Sequence, residues 1–251
     1  MKLKSALTGV TNFSDIQCQK AISHLLIVKV GATGIVDEKI NVILQDGSNQ
    51  RKLTTNQKIR DVAILSQFGE GYLSQTVSAG SVKSAYLLKL NETVGVEVAD
   101  KCYLSIDLNG LVSASTYEVY GIECPVTERS FYSYNTTSIV GDEAQEKQYA
   151  VGSTAQLLGI RNNGALSKIT VTYNNGQQVS YLPEELAAVT REMNDITQAS
   201  DLLVEGDAVN QTIMGGAAEM YHWPLQGVSK FDIGTVGGVE LVFFVVNKES
   251  F

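Results

Sequence analysis

The side chains best suited to chemistry are few and scattered. The chain of 251 residues has two histidines, His24 and His222, and three cysteines, Cys18, Cys102 and Cys124. His24 opens the apolar run HLLIVKV and His222 sits in MYHWPL beside Trp223. Both settings predict structural roles. The cysteines lie too far apart to outline a zinc motif or a disulfide framework, and are expected to be buried small hydrophobes.

Nucleophilic hydrolysis fares no better. The pattern G-x-S-x-G is missing, and the nearest string, Gly152-Ser153-Thr154, precedes a strand rather than sitting in a strand–turn–helix. Glycosidase chemistry needs two facing carboxylates, which Asp107, Glu118, Glu123 or Asp232 could supply, yet among 27 acidic residues some pair is always at hand. Gly31-Ala32-Thr33-Gly34 and Gly234-Thr235-Val236-Gly237-Gly238 lack the Lys-Ser/Thr ending and the following helix of a phosphate loop, and read as turns. Gly141-Asp142-Glu143 and Glu205-Gly206-Asp207 lack EF-hand spacing and read as solvated loop acids. No residue is assigned to catalysis, a cofactor or a metal, and no cofactor is expected.

Tyr132 and Tyr134, with Phe131 and Ser133 alternating to the other side, are the remaining candidates. On an exposed sheet they would suit a carbohydrate-binding or adhesive β-sandwich. The reading preferred here is core on one side and an interface on the other. The formal charge of −8 opposes a surface that tracks phosphates, so nucleic acid is not the expected partner. MKLKSALTGVTNF has no following apolar core of a leader, and Val239–Val246 is interrupted by Glu240 and too short to span a bilayer.

The elements that would carry these residues are short and mostly β. Strands are predicted at 24–30, 39–45, 84–90, 94–98, 102–108, 116–123, 155–160, 168–173, 178–181, 220–225 and 239–247, each rich in Val, Ile, Leu or Tyr and many closed by Asx-Gly or similar turns. Only Asn56–Phe68 and Pro183–Asn194 show helical patterning. With no helices alternating between the strands, the class is mainly β with packed antiparallel sheets. The segments 68–83 and 196–216, rich in Gly, Ser and Thr, follow the two helices as surface excursions.

An internal repeat organises these pieces. Lys39-Ile40-Asn41-Val42, Asp46-Gly47 and Leu53 align without gaps with Lys168-Ile169-Thr170-Val171, Asn175-Gly176 and Leu182, an offset of 129 residues. Both copies then enter a helix. A weaker echo pairs Ala85-Tyr86 with Met220-Tyr221, and TYEVYGI closes the first half much as ELVFFVV closes the second. The repeat predicts two domains of one fold, 1–125 and 126–251, meeting near Pro125. About eight strands with one short helix fit a jelly roll in each half.

Carried by KINVILQDG…L and KITVTYNNG…L, the chain resembles the double-jelly-roll major capsid proteins of tailless icosahedral viruses. Among these it is most similar in size to those of membrane-containing bacteriophages such as corticoviruses and the flavobacterial lipid-containing phages. The resemblance implies a homotrimer that forms a pseudo-hexagonal tile of an icosahedral shell over an internal lipid membrane. It also implies neighbouring trimers and minor capsid proteins as partners, synthesis in the host cytoplasm and residence in the virion, and it suggests that Lys2 and Lys4, followed by Leu7 and Val10, belong to an N-terminal arm over about residues 1–20 that touches a neighbour or an anionic lipid surface. Such a protein needs no catalytic residue. The bicupin enzymes share the shape, but their metal site takes several histidines and a carboxylate, which His24 and His222 cannot assemble.

Overall fold

The computed structural model describes residues 1–66, 73–92, 94–98, 102–193, 202–205, 208–213 and 219–251. The first half runs β1 (Lys2–Leu7), β2 (Asn12–Cys18), β3 (Ile22–Gly31), β4 (Lys39–Asp46), β5 (Asn49–Lys58), α1 (Ile59–Ser66), β6 (Leu73–Ser78), β7 (Ser81–Lys89), β8 (Gly95–Val96), β9 (Cys102–Asn109) and β10 (Thr116–Glu123). After β11 (Thr127–Glu128) come β12 (Ser130–Ile139), β13 (Glu146–Ala150), β14 (Ala155–Arg161), β15 (Leu166–Tyr173), β16 (Gln178–Tyr181) and α2 (Pro183–Met193). The chain closes with β17 (Leu202–Glu205), β18 (Ala208–Ile213), β19 (Met220–Pro224), β20 (Val228–Thr235) and β21 (Leu241–Ser250).

The pairing order repeats. In the first half β1-β10-β3-β7 faces β2-β9-β4-β5; in the second β12-β21-β14-β19 faces β13-β20-β15-β16. Counting eight strands per half, both follow the order 1-8-3-6 and 2-7-4-5, with all ladders antiparallel and the helix between the fifth and sixth strands. The fold is therefore mainly β with the jelly-roll arrangement twice over. Alternation builds each interior: β9 buries Cys102, Leu104, Ile106 and Leu108 while the residues between are half-exposed. Each fully buried Leu or Ile contributes about 1.5–3 kcal/mol of transfer free energy.

Two additions join the halves. Strand β6 extends the β1-β10-β3-β7 sheet, and the β17–β18 hairpin from the second half pairs onto β6, so this sheet has seven strands. The excursions expected at 68–83 and 196–216 thus contain strands; 68–72, 196–201, 206–207 and 214–216 lie outside the described residues. A two-residue parallel ladder, Thr127 with Gly95 and Glu128 with Val96, is all that forms of the strand expected at 94–98.

The N-terminus departs from expectation. Residues 2–18 are the first two strands of the first roll, β1 on β10 and β2 on β9, so the free arm foreseen over 1–20 is not there. Helix α1 also starts later than the pattern suggested. Asn56 takes φ 50° inside β5 and its N–H donates to Asn41 Oδ1 at 2.5 Å, which keeps residues 56–58 on the sheet. Residues 67, 68 and 194, foreseen as helix ends, lie outside the described residues.

Candidate functional site

The residues with chemical potential are dispersed. His24 is half-buried on the outer face of β3, its Nδ1 2.9 Å from Ser23 Oγ, and burial followed by the nearby Lys89 charge lowers its pKa. His222 is fully enclosed in β19; burial lowers it to about 4, so the ring is neutral. The two rings lie on different sheets. Cys18 and Cys102 are buried, with thiols donating to the carbonyls of Lys20 (3.3 Å) and Glu97 (3.6 Å), and burial pushes the Cys18 thiol up. A protonated, enclosed thiol is inert.

Each of the four candidate carboxylates bonds to a partner that is not another carboxylate. Glu118 accepts from Lys2 Nζ at 2.6 Å and Tyr120 Oη at 2.5 Å; Asp107 accepts from Asp15 N–H at 2.9 Å; Asp232 accepts from Gln148 Nε2 at 2.8 Å; Glu123 meets Lys20 at 3.2 Å. They are spread over β9, β10 and β20. Among the described residues no group of three His, Cys, Asp or Glu side chains is placed to hold a metal ion. Asp142 and Glu143 form a loop against Gly237, while 206–207 of the other acidic string lie outside the described residues. Gly237 and Gly238 turn the chain with φ of 78° and 69°, and Gly34 offers its carbonyl to Lys29 at 2.7 Å.

Lys29 and Glu38 make one of two sites missed by sequence reasoning. Both side chains are buried, Nζ to Oε1 is 2.5 Å, and Tyr117 Oη donates to the same oxygen at 2.8 Å while the Val36 N–H reaches Oε2 at 2.8 Å. Burial pushes the Glu38 carboxyl up, but hydrogen bonds from Lys29, the backbone and Tyr117 outweigh it and hold the group below its ordinary value. The arrangement ties β3, the loop into β4, and β10 together at one end of the first roll.

The second missed site is the contact between the halves. Tyr132 and Tyr134 are both 2% exposed. They face the first half: Tyr134 Oη donates to the Lys89 carbonyl at 2.6 Å and lies 3.0 Å from Ser66 Oγ, and Tyr132 N–H donates to the Leu90 carbonyl at 2.7 Å. These two tyrosines therefore do not form the exposed aromatic face that a sugar-binding sandwich would need. Helix α1 lies across the outer face of β14, where a Cβ built on Gly159 would collide with Leu65. At its first turn Arg60 donates through Nε to Glu219 at 2.7 Å and through Nη2 to the other oxygen, while Arg161 Nη2 reaches Asp61 Oδ2 at 2.5 Å. Gln57 Nε2 donates to the Tyr134 carbonyl and to Thr136 Oγ1.

One hydrophobic cluster accordingly runs from the first roll into the second, taking in Phe131, Tyr134, Leu157, Met220 and Phe244. A separate cluster fills the second roll, around Ile169, Trp223, Phe231 and Phe243.

No protein-family model matches the chain, and no curated protein does. Among solved structures it is similar to the STIV MCP, a viral major capsid protein, at 11% identity and a TM-score of 0.56, with 99% of this chain and 95% of that one covered. The Sputnik virophage structure (9% identity, TM-score 0.38, 99% and 84% covered) and the mavirus major capsid protein (5%, 0.35, 100% and 86%) also match, at lower structural agreement. The comparison that carries weight is the first, and at this identity it is a likeness of fold: over nearly the whole of both chains, this protein is similar to the STIV MCP.

Proposed function

We propose that the chain is a viral major capsid protein. The observation that carries this reading is the duplicated 1-8-3-6 and 2-7-4-5 strand order, in a chain whose fold is similar to that of the STIV MCP over nearly the whole of both chains. In this reading residues 1–125 and 126–251 are the two jelly rolls, and three copies form a pseudo-hexagonal tile. The finer assignment is the shell of a membrane-containing tailless icosahedral phage. It brings an internal lipid membrane, minor capsid proteins and neighbouring tiles as partners, and host cytoplasm as the place of synthesis. The extensive burial between halves supports it, since a tile needs rolls held in fixed relation.

Light scattering coupled to size-exclusion chromatography tests the reading. A stable species of about three times 27.1 kDa is expected. A monomer at every concentration overturns it. Flotation of assembled protein with anionic vesicles tests the membrane contact, and loss of flotation on removal of the vesicle charge is the expected control.

A further inference from the structure

The turns at one end of the second roll enclose a cleft of about 610 Å³. Three connections wall it: β13–β14 through Gly152 and Ser153, β15–β16 through Asn174, and β19–β20 through Gln226. Leu225 and Val228, both buried, give it an apolar floor. Backbone bonds fix the walls to one another: the Asn174 N–H donates to the Gly227 carbonyl, the Val151 N–H to the Ser229 carbonyl and the Leu225 N–H to the Gln156 carbonyl, each at 2.9 Å. Turns pinned in this way on rigid strands form a concave surface before any ligand arrives, and its volume lies within the range of small-molecule sites.

What the turns present is polar and uncharged. Among the described residues no lysine, arginine, aspartate or glutamate lines the cleft. Ser229 Oγ and Gln156 Nε2 are spent on the carbonyls of Thr172 at 3.0 Å and Thr154 at 3.2 Å. The Ser153 hydroxyl and the amides of Asn174 and Gln226 are exposed and bond to no described residue. A phosphate or carboxylate finds no cation here, and a metal ion finds no carboxylate. A primary amide offers two donors and an acceptor, and a hydroxyl offers both roles. These three groups therefore match a ligand with neighbouring hydroxyls on a ring, whose C–H face suits the apolar floor.

The first roll uses the equivalent end differently. Its β2–β3 turn, the counterpart of β13–β14, borders a smaller cleft of about 440 Å³ that is also lined by Glu123, Cys124 and Pro125. There the Cys124 N–H donates to the Ala21 carbonyl at 3.1 Å, and Lys20 pairs with Glu123 at 3.2 Å. The duplicated fold supplies the cleft twice, once charged and bordered by the link between rolls, once neutral and open.

We infer that the second-roll cleft is a binding site for a neutral saccharide, held by the Asn174 and Gln226 amides and the Ser153 hydroxyl. The site lies within one roll of one chain, so it goes beyond the capsid reading and does not depend on it. It is also separate from Tyr132 and Tyr134, which are buried.

Saturation-transfer NMR on the full-length chain tests it, with lactose, maltose, cellobiose and N,N′-diacetylchitobiose as neutral probes and sialylated lactose as the charged one. At least one neutral probe is expected to saturate with a Kd on the order of 1 mM. Asn174→Ala combined with Gln226→Ala is expected to weaken it roughly tenfold or more. Gly152→Trp is expected to abolish binding, since a Cβ added at Gly152 meets nothing within 4 Å and the ring adds bulk at the wall without a clash at its root. Unchanged melting curves show that these variants keep the fold. If no neutral probe saturates, or if binding survives in both variants, the inference is overturned. Tighter binding of sialylated lactose than of lactose overturns the assignment to a neutral ligand. The oligomeric state read by light scattering is independent of every one of these outcomes, so a failure here is distinct from a failure of the capsid reading.

Discussion

The ammonium of Lys29 and the carboxylate of Glu38 sit 2.5 Å apart with side chains only 1% and 2% exposed, an ion pair sealed inside a β-sandwich. Removing one partner leaves a buried charge uncompensated, at about 3–5 kcal/mol. Glu38→Gln and Lys29→Met are each expected to lose that much in urea unfolding, and Lys29→Met with Glu38→Leu to lose less than the sum. The pH dependence follows from the depressed Glu38 pKa. Its contribution is complete above the unfolded carboxyl pKa of about 4.3 and is lost as pH falls through the lower folded value. The stability gap between wild type and Glu38→Gln therefore narrows in acid. A gap constant from pH 7 to pH 3 would contradict this account.

Gly159 is held to glycine by its neighbour across the halves. An added Cβ meets Leu65 Cδ2 and stands 2.8 Å from Met220 Sδ in a packed cluster. Gly159→Ala is expected to cost about 1–3 kcal/mol through overpacking. Leu65→Ala is also destabilising alone, by cavity formation, but in its background Gly159→Ala becomes nearly neutral or favourable. Thermal and urea unfolding of the four proteins give the coupling, and strict additivity would show that the two residues do not press on each other.

What the sequence displays clearly is the half of the fold that is regular. The β4–β5 and β15–β16 hairpins, with Gly47 and Gly176 turning at φ 60° and 83°, carry apolar alternation and Asx-Gly turns that local rules recognise. Strands β1 and β2 hide because their alternation is broken: register shifts interrupt both ladders, and Ala6 and Asp15 adopt φ of 48° and 64°. Strand β12 hides for the opposite reason. SFYSY is buried on both faces, with one side of it against the first roll, so Ser130 and Ser133 are interior residues that composition assigns to the surface. Helix α1 is likewise enclosed on nearly every side, Asp61 included, whereas its pattern announces one apolar face. Contacts between residues distant in sequence leave no periodic trace, so Lys29–Glu38 within the first roll and Arg60–Glu219 between the halves became visible only with the fold.

Because α1 is buried between rolls, the halves should not fold alone. A chain of residues 1–125 would expose Val62, Ile64 and Leu65 along with the groups that bond Tyr134 and Glu219. It is expected to aggregate when produced by itself, and to be recovered as a stoichiometric complex when produced together with residues 126–251. Circular dichroism and light scattering check both states. A monomeric 1–125 with a cooperative melt would show that the contact between rolls adds little to stability.

His222 supplies a second acid-sensitive contribution, opposite in charge to the first. Both ring nitrogens are buried without a hydrogen-bond partner among the described residues, so the folded state admits only the neutral ring. With a folded pKa of about 4 against about 6.5 when unfolded, protons bind preferentially to the unfolded chain between those values, and stability falls as pH drops through that window. Below it both states are protonated and the loss is complete, at most about 3 kcal/mol. His222→Leu, close in volume and without polar atoms, removes this term. It is expected to match or exceed the wild type at pH 7 and to exceed it by about 2 kcal/mol near pH 4.5, read from urea midpoints with unchanged m-values. Parallel stability curves for the two proteins from pH 7 to pH 4.5 would mean that the ring finds a proton acceptor in the folded state.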